Sequence, residues 1–447
     1  MDGPNGGPAP AVPSAAELLR SRSYLGLVAA GAIIGVPVAM IAYFFLKAVN
    51  ETQRYVFSTL PDDLGAGVWW PVVPLTLCGL LVALVIRHLP GSAGHKPAEG
   101  FKAGGPVSPI ELPGIFIASF LTLGLGVVLG PEAPLIAIGS GIGVLALHLL
   151  RRDAPAQAAA VIGGAGSFAA VSTLLGSPLT AAFLMLEVAA IGGPMLGVLL
   201  VPGLLASGIG ALVFVGLDNW TGFGTFALAI PDIPPFTSPD GAQFLWAIGI
   251  GVAAAALAAF IKVVARTLQA VVEPRMTVAM PLVGLGVGAL AVAFALGSDR
   301  DSTDVLFSGQ DQLPALISGA AGWTLGALVL LVACKALAYA LSLSCFRGGP
   351  VFPAMLIGAA GGIALSELPG LPLIAGVAMG IGAMTVAMLN LPLTSVLLVT
   401  VFLQADGIAL MPLVIVAVVV SYIASARIAP LLELAVQRGS AMVAEPG

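Results

Sequence analysis

An acidic residue lies inside one of the most apolar stretches of the chain. Glu132 stands in the middle of the segment Val-Leu-Gly-Pro-Glu-Ala-Pro-Leu-Ile. An ionised carboxylate at the centre of a membrane helix costs about 2.5 kcal/mol or more. An ionised carboxylate also competes with an anion for the same hydrogen-bond donors, and protonation ends that competition. We therefore interpret Glu132 as a protonatable gate on an ion pathway; a carboxylate that only settles at a helix start is the alternative.

The frame around this residue occurs twice. Gly-Pro-x-x-Pro-x-x-x-Ile-Gly begins at Gly130 and again at Gly349, where no acid follows the proline. Pro-Leu-Thr likewise occurs at Pro178 and again at Pro392, with nearly the same separation along the chain. Two matches in the same order indicate an internal repeat. Paired, interrupted apolar segments of this kind mark the binding site of a transporter, near the bilayer midplane at the interface of the repeats.

The two Gly-Pro frames predict helix starts that face into the protein. Proline is favoured at the first position of a helix, so we place Pro131 and Pro350 there. A helix N-terminus carries about half a positive charge and unsatisfied N–H donors. Two such ends that converge make an anion site without a full positive charge. Glycine and proline that only permit close helix packing are the alternative.

Other polar residues have more than one interpretation. Ser92 lies in the Gly-rich loop Pro-Gly-Ser-Ala-Gly-His-Lys-Pro and can offer a hydroxyl donor, whereas His95 and Lys96 beside it suit a solvated loop. Glu187, near the end of an apolar segment, suits a structural hydrogen-bonding role or a proton path. Lys335 is either a buried counter-charge or a residue whose ammonium reaches the membrane surface.

The composition is that of an integral membrane protein. Of the 447 residues, 59% are hydrophobic and 9% charged, against about 25% charged in soluble domains. Glycine and proline within the apolar stretches predict short, broken helices. We predict an all-α integral membrane protein, an inverted-topology repeat of broken and tilted helices. Apolar segments lie at 25–46, 68–86, 113–128, 133–150 and 158–175, and others begin near 178, 195, 243, 280, 322, 352, 373, 392 and 408.

Charge predicts the orientation and the division of the chain. Basic residues mark cytoplasmic loops, and they flank the first two spans on one side, at Arg20, Arg22, Arg87, Lys96 and Lys102. We expect a multi-pass protein of the plasma (inner) membrane with a cytoplasmic N-terminus. We predict a disordered tail over 1–20, a first membrane repeat over 21–217, a linker over 218–242, a second repeat over 243–437 and a C-terminal tail over 438–447.

Over about residues 20–435 the chain resembles the CLC family of chloride channels and chloride/proton antiporters. The motifs that carry the resemblance are Gly91-Ser92 for the serine loop, Gly130-Pro131-Glu132-Ala133-Pro134 for the gate, Pro178 to Glu187 for the helix that follows, and Gly348-Gly349-Pro350-Val351-Phe352-Pro353 for the second filter motif. The resemblance implies a homodimer in a lipid bilayer with one pore per subunit. It also implies Glu132 as gating residue and anion contacts from Ser92 and from the backbone near Ala133, Val351 and Phe352.

The chain also departs from the family pattern. Pro131 and Pro350 stand where family members usually have an N–H donor near the anion. Val188 stands where antiporters carry their proton-transferring glutamate, as in the family's channels. The pore tyrosine has no clear match, since Tyr422 precedes the equivalent stretch at 427–430.

These patterns predict transport of chloride or a similar monovalent anion, channel-like or loosely coupled to protons. The alternative is a chloride/proton antiporter, in which Glu187 is a candidate proton-path residue. A membrane-embedded enzyme that uses Glu132 as acid or base is the remote alternative, because His88, His95 and His148 supply no partner set. We expect no catalytic residue, no cofactor, no metal site and no nucleic-acid partner.

Overall fold

The computed structural model describes residues 15–102, 105–189, 195–222, 236, 238–404 and 407–444. Most of the predicted N-terminal tail, the centre of the predicted linker and the last three residues lie outside these described residues. Three predicted boundaries fall inside helices, because the helix before the linker continues to Thr221, the helix after the linker begins at Gly241, and the last helix continues to Ala444. The end of the predicted disordered N-terminal tail is helical, over Ala15–Arg20.

The described chain is built from α-helices, with short 3-10 turns and one π-helical turn between them. The α-helices are α1 (Ala15–Arg20), α2 (Arg22–Arg54), α3 (Leu60–Leu64), α4 (Val72–His88), α5 (Leu112–Gly124), α6 (Glu132–Leu150), α7 (Ala156–Leu175), α8 (Pro178–Val188), α9 (Met195–Thr221), α10 (Gly241–Val272), α11 (Met276–Ser298), α12 (Gln312–Ser318), α13 (Leu325–Cys345), α14 (Val351–Ser366), α15 (Leu373–Leu389), α16 (Pro392–Phe402) and α17 (Gly407–Ala444).

Helices of two lengths make up the membrane unit. Seven helical stretches in the described part of the chain are long and apolar enough to cross a membrane, given that about 20 apolar residues span the hydrocarbon core. Six shorter apolar helices, among them α5, α8, α14 and α16, have between 10 and 17 residues. The predicted all-α membrane architecture with broken helices is confirmed.

The two copies of the sequence repeat form the same kind of close helix–helix crossing. Helices α6 and α7 meet at Gly139, where an added Cβ would lie 2.5 Å from the carbonyl oxygen of Gly166. Helices α14 and α15 meet at Gly358, where an added Cβ would collide with the carbonyl oxygen of Gly380. Gly139 and Gly358 close the two Gly-Pro frames, so equivalent positions of the two frames make equivalent crossings. Glycine in these frames therefore does permit close helix packing, as the alternative interpretation held.

Helices of the first repeat pack against helices of the second. The α4–α11 pair crosses closely at Gly284, where a Cβ would collide with the carbonyl oxygen of Leu75. The short helices α8 and α16 also contact each other. Because α6 and α14 follow directly on segments that lie side by side, both helices start inside the protein and not at a membrane surface.

Candidate functional site

The two Gly-Pro frames pair with each other through backbone hydrogen bonds inside the protein. The N–H of Gly130 donates to the carbonyl oxygen of Gly349 at 2.7 Å, and the N–H of Gly349 donates to that of Gly130 at 2.5 Å. Helix α6 starts at Glu132 and α14 at Val351, so Pro131 and Pro350 are the residues just before each helix. Each proline thus lies one position earlier than predicted. Because proline has no N–H, the free donors of each N-terminus come from the residues that follow it.

Glu132 lies across this junction, fully buried. Its Oε1 accepts a hydrogen bond from the backbone N–H of Phe352 at 3.0 Å, whereas its Oε2 has no hydrogen-bond partner among the described residues. The carboxylate also packs against Gly130 and Gly349, where an added Cβ would collide with it. The side chain from the first repeat therefore occupies the N-terminus of α14 in the second repeat, a place that favours negative charge.

The predicted backbone contacts lie around this carboxylate. Val351 and Phe352 form the first turn of α14 and are buried, and the Phe352 N–H is the donor to Glu132. Ala133, half-buried, is in the first turn of α6 and lines a cavity. The structure thus brings Glu132, Val351 and Phe352 together, with Ala133 next to them in the chain. Their role as anion contacts stays a prediction.

A tyrosine that sequence reasoning missed supports the second frame. Tyr339 on α13 is fully buried, and its hydroxyl donates to the carbonyl oxygen of Pro350 at 2.8 Å. This bond fixes the Pro350–Val351 peptide from which α14 starts, one residue before the Phe352 N–H that donates to Glu132. A buried tyrosine hydroxyl needs a hydrogen-bond partner. No sequence motif links Tyr339 with Pro350, so this partner could not be predicted from the sequence.

A cavity of about 620 Å³ opens beside the junction. It is bounded by the loop of Ser92, by the start of α6 at Ala133 and Pro134, and by Arg347 and Gly348. Ser92 itself is exposed and has a left-handed backbone, with φ +52°. Its neighbours Gly91, Ala93 and Gly94 line the cavity. The serine loop and the α6 start therefore share one space, and a contact of the Ser92 hydroxyl with an anion stays a prediction.

Glu187 bonds to the start of a helix in the opposite repeat. Its Oε1 accepts from the N–H of Leu393 at 2.8 Å and its Oε2 from the N–H of Thr394 at 2.7 Å. The side chain thus caps the N-terminus of α16, the structural role that the sequence left open. Glu187 and Val188 also line a second cavity, of about 360 Å³, which reaches Pro350. A proton path through Glu187 stays a prediction.

The remaining polar candidates have partners in the protein. Lys96 donates to Glu273, directly after α10, at 2.6 Å. His95 also lines the cavity of about 620 Å³, and its Nε2 lies 2.7 Å from the carbonyl oxygen of Gly100. Tyr422 on α17 is 41% exposed. Across the described ranges no group of three histidine, cysteine or acidic residues is arranged to hold a metal ion.

Lys335 is buried, which decides between its two interpretations. Its side chain is fully inaccessible to solvent, so its ammonium does not reach the membrane surface. The Nζ donates to the carbonyl oxygens of Asp304 and Leu306 at 3.2 and 2.9 Å and to Oε1 of Gln312 at 3.1 Å. Lys335 therefore anchors the loop before α12 and the first turn of that helix.

Comparison with known proteins agrees with this geometry. The sequence model described as voltage gated chloride channel matches residues 78–426. The chain belongs to this family. Proteins named "Putative ion-transport protein YfeO" from Salmonella newport and Salmonella typhimurium are 30% identical over 361 residues, which cover 77% of this chain and 82% of theirs.

Solved structures of CLC proteins share the fold. A slow cyanobacterial Cl⁻/H⁺ antiporter matches with a TM-score of 0.74 at 17% identity, covering 93% of this chain and 98% of its own. A CLC-type fluoride/proton antiporter matches with a TM-score of 0.68 at 19% identity, covering 90% and 95%. The predicted fold and the predicted family are confirmed. As a CLC family member with these apolar helices, the chain is a multi-pass integral membrane protein.

Proposed function

We propose that this CLC protein transports chloride-like monovalent anions through a pore in each subunit of a homodimer, with Glu132 as its protonatable gate. The observation that carries the proposal is the hydrogen bond from the Phe352 N–H to Glu132 Oε1 at 3.0 Å. A carboxylate on a helix N-terminus occupies the place that an anion would take. When the carboxyl group is protonated it loses its charge, and an anion from solution competes more successfully for the same donor.

The chemistry of the donors supports a small monovalent anion. Backbone N–H groups at the starts of α6 and α14 offer partial charges, and weak coordination at several points suits an ion that must also leave. Because Pro131 and Pro350 have no N–H, we assign the contacts to the backbone at Ala133, Val351 and Phe352. Ser92 is the proposed hydroxyl donor from the loop on the cavity side.

Channel-like or loosely coupled transport is favoured by the residues next to the second cavity. Val188 has no group that can carry a proton, and both oxygens of Glu187 accept hydrogen bonds from α16. Each carboxylate oxygen of Glu187 therefore accepts a hydrogen bond that caps α16. The second candidate is a chloride/proton antiporter, favoured by a gate that binds a proton and by structural neighbours described as Cl⁻/H⁺ and fluoride/proton antiporters. We propose the inner membrane as its location, with the N-terminus in the cytoplasm.

The test is transport by purified protein in sealed proteoliposomes. A chloride gradient is imposed, and chloride efflux and proton movement are recorded together. We expect chloride efflux with little proton movement. Stoichiometric proton movement against its own gradient would establish the antiporter instead and require a proton route other than Val188. Absence of both anion flux and anion binding would overturn the proposal and favour the membrane-embedded enzyme.

A further inference from the structure

The second cavity, of about 360 Å³, is lined by charged side chains that have no part in the gate. Its walls are the segment between the serine loop and α5, the end of α8, one face of α10 and the segment just before α16. The charged side chains that line it are Glu99, Lys102, Glu187, Lys262 and Arg266. Two acids and three cations therefore share one space.

Both acids of this cavity already have partners. The two oxygens of Glu187 accept hydrogen bonds from the backbone at the start of α16. Glu99 lies 3.7 Å from Nζ of Lys96 and accepts a hydrogen bond from Gln269 at 3.5 Å. Neither Lys96 nor Gln269 lines the cavity. The negative charges are thus held by groups outside the cavity.

The three cations have no such partners. In the described part of the chain the ion pairs involve only Lys47, Arg54 and Lys96 as cations. Lys262 donates one hydrogen bond, to the carbonyl oxygen of Ala387 at 2.6 Å, which leaves two ammonium hydrogens. Arg266 donates from Nε to the carbonyl oxygen of Ala98 at 3.3 Å, and its two Nη groups form no hydrogen bond with the described residues.

The spacing of two of the cations makes an anion favourable between them. Lys262 and Arg266 are four residues apart on α10, so they lie on the same face one turn apart. Like charges at this spacing destabilise a helix. An anion that contacts both side chains removes the repulsion and takes the free donors of each.

The size and lining of the cavity indicate more than a single halide ion. Binding sites for small molecules have volumes of about 300–1,000 Å³, and this cavity falls within that range. Phe101, Leu343 and Met388 give it an apolar part beside the cations. A phosphate monoester group carries a charge of about −1.5 to −2 and three strong acceptor oxygens. The planar guanidinium fork matches such a group with two parallel hydrogen bonds.

We propose that the second cavity binds a phosphate monoester, with its phosphate group against Lys262 and Arg266 and its organic part against the apolar lining. Lys102, which is exposed at the same cavity, adds a third positive charge. The inference goes beyond the proposed transport, because its ligand and its cavity both differ from those of the Glu132 gate.

Titration calorimetry of the full-length protein with glycerol phosphate, in sodium gluconate as background salt, tests the site. We expect saturable binding by the wild type. Lys262→Gln and Arg266→Gln each lose a charged donor, so the affinity of each should fall at least about tenfold. Arg275→Gln is the matched control, because Arg275 follows α10, is exposed and does not line the cavity. Its affinity should equal that of the wild type.

Several outcomes would overturn the inference. The first is the absence of saturable glycerol phosphate binding by the wild type, and the second is wild-type affinity in both α10 variants. The third concerns the gate: Glu132→Gln should bind glycerol phosphate as the wild type does. A tenfold change in that variant would assign the phosphate group to the junction of the two frames and not to the second cavity.

Lys102→Gln decides the matter if the α10 variants do not fold. Lys102 is exposed and forms no hydrogen bond with the described residues, so its replacement leaves the packing intact. Because an exposed charge contributes less than a buried one, we expect glycerol phosphate to bind about threefold more weakly. Unchanged affinity in that case would refute the site.

The phosphate group comes either from a soluble ester or from a lipid headgroup, and nanodiscs separate these sources. Glycerol phosphate is titrated into protein in nanodiscs that contain phosphatidic acid, a monoester, or phosphatidylglycerol, an anionic diester. Weaker binding with phosphatidic acid alone would identify the lipid headgroup as the occupant. Equal binding in the two lipids would identify a soluble ester.

Discussion

Neutralising Glu132 is the most direct perturbation of the gate. In Glu132→Gln the side chain keeps its shape, and its amide oxygen can still accept from the Phe352 N–H, but the charge is gone. A hydrogen bond to a charged group contributes about 1.5–3 kcal/mol and one between neutral groups about 0.5–1.5 kcal/mol. The variant side chain therefore holds the donor about 1.4 kcal/mol less tightly, which corresponds to about tenfold easier displacement by an anion.

The pH dependence gives the sharper readout. Protonation removes the charge of the wild-type carboxylate, so wild-type chloride flux should rise as the pH falls. Glu132→Gln imitates the protonated state at every pH. Its flux should therefore be about tenfold above that of the wild type at neutral pH, and nearly flat from acidic to mildly alkaline pH.

Chloride efflux from proteoliposomes, followed with a chloride electrode at a series of pH values, measures both quantities. Glu51→Gln is the control, because Glu51 pairs with Lys47 and Arg54 at the end of α2 and lies outside the junction. It should keep the wild-type pH profile. A wild-type pH profile in Glu132→Gln would remove Glu132 from the gate, and loss of flux in that variant would refute the competition between carboxylate and anion.

Three further outcomes follow from single contacts. Ser92→Ala should weaken chloride binding by about 1 kcal/mol, the value of one hydrogen bond, and unchanged calorimetric affinity would exclude its hydroxyl from the site. Glu187→Gln turns one acceptor of the α16 cap into a donor that faces a backbone N–H, so the free energy of unfolding should fall by about 1–3 kcal/mol; a strong change in coupling without loss of stability would instead favour the proton path. Gly358→Ala should destabilise the protein by about 1–3 kcal/mol, because its Cβ collides with Gly380, whereas Gly361→Ala, on the same helix with nothing within 4 Å, should leave denaturant unfolding unchanged or slightly stabilised. Equal effects of the two alanines would contradict the close α14–α15 crossing.

Local chemistry made much of the fold predictable. Gly-Pro pairs indicated where α6 and α14 start, because proline restricts its own backbone and cannot continue a helix from the preceding turn. The paired motifs indicated the repeat, and Gly139 and Gly358, at equivalent places in the two frames, make equivalent close crossings. The acid at position 132 could be singled out because an ionisable side chain is costly in an apolar setting.

Partners across the repeats could not be read from the sequence, because contacts between distant segments depend on how the helices pack. Glu132 meets Phe352, and Arg347 meets Ser92, each pair joining residues from opposite repeats. The sequence left Glu187 with two interpretations, and only packing shows its bonds to α16. Arg347 was missed, although a lone basic residue between two apolar segments was a usable signal.

By itself, then, the sequence determined that this chain is a helical membrane repeat with an acid at a helix start, since composition, proline and glycine act over a few residues. Only the tertiary structure decided which helix N-terminus donates a hydrogen bond to Glu132 and which loop carbonyl accepts one from Arg347. The physical reason is that a buried polar group must find a partner, while the choice of partner belongs to the packing that brings distant segments together.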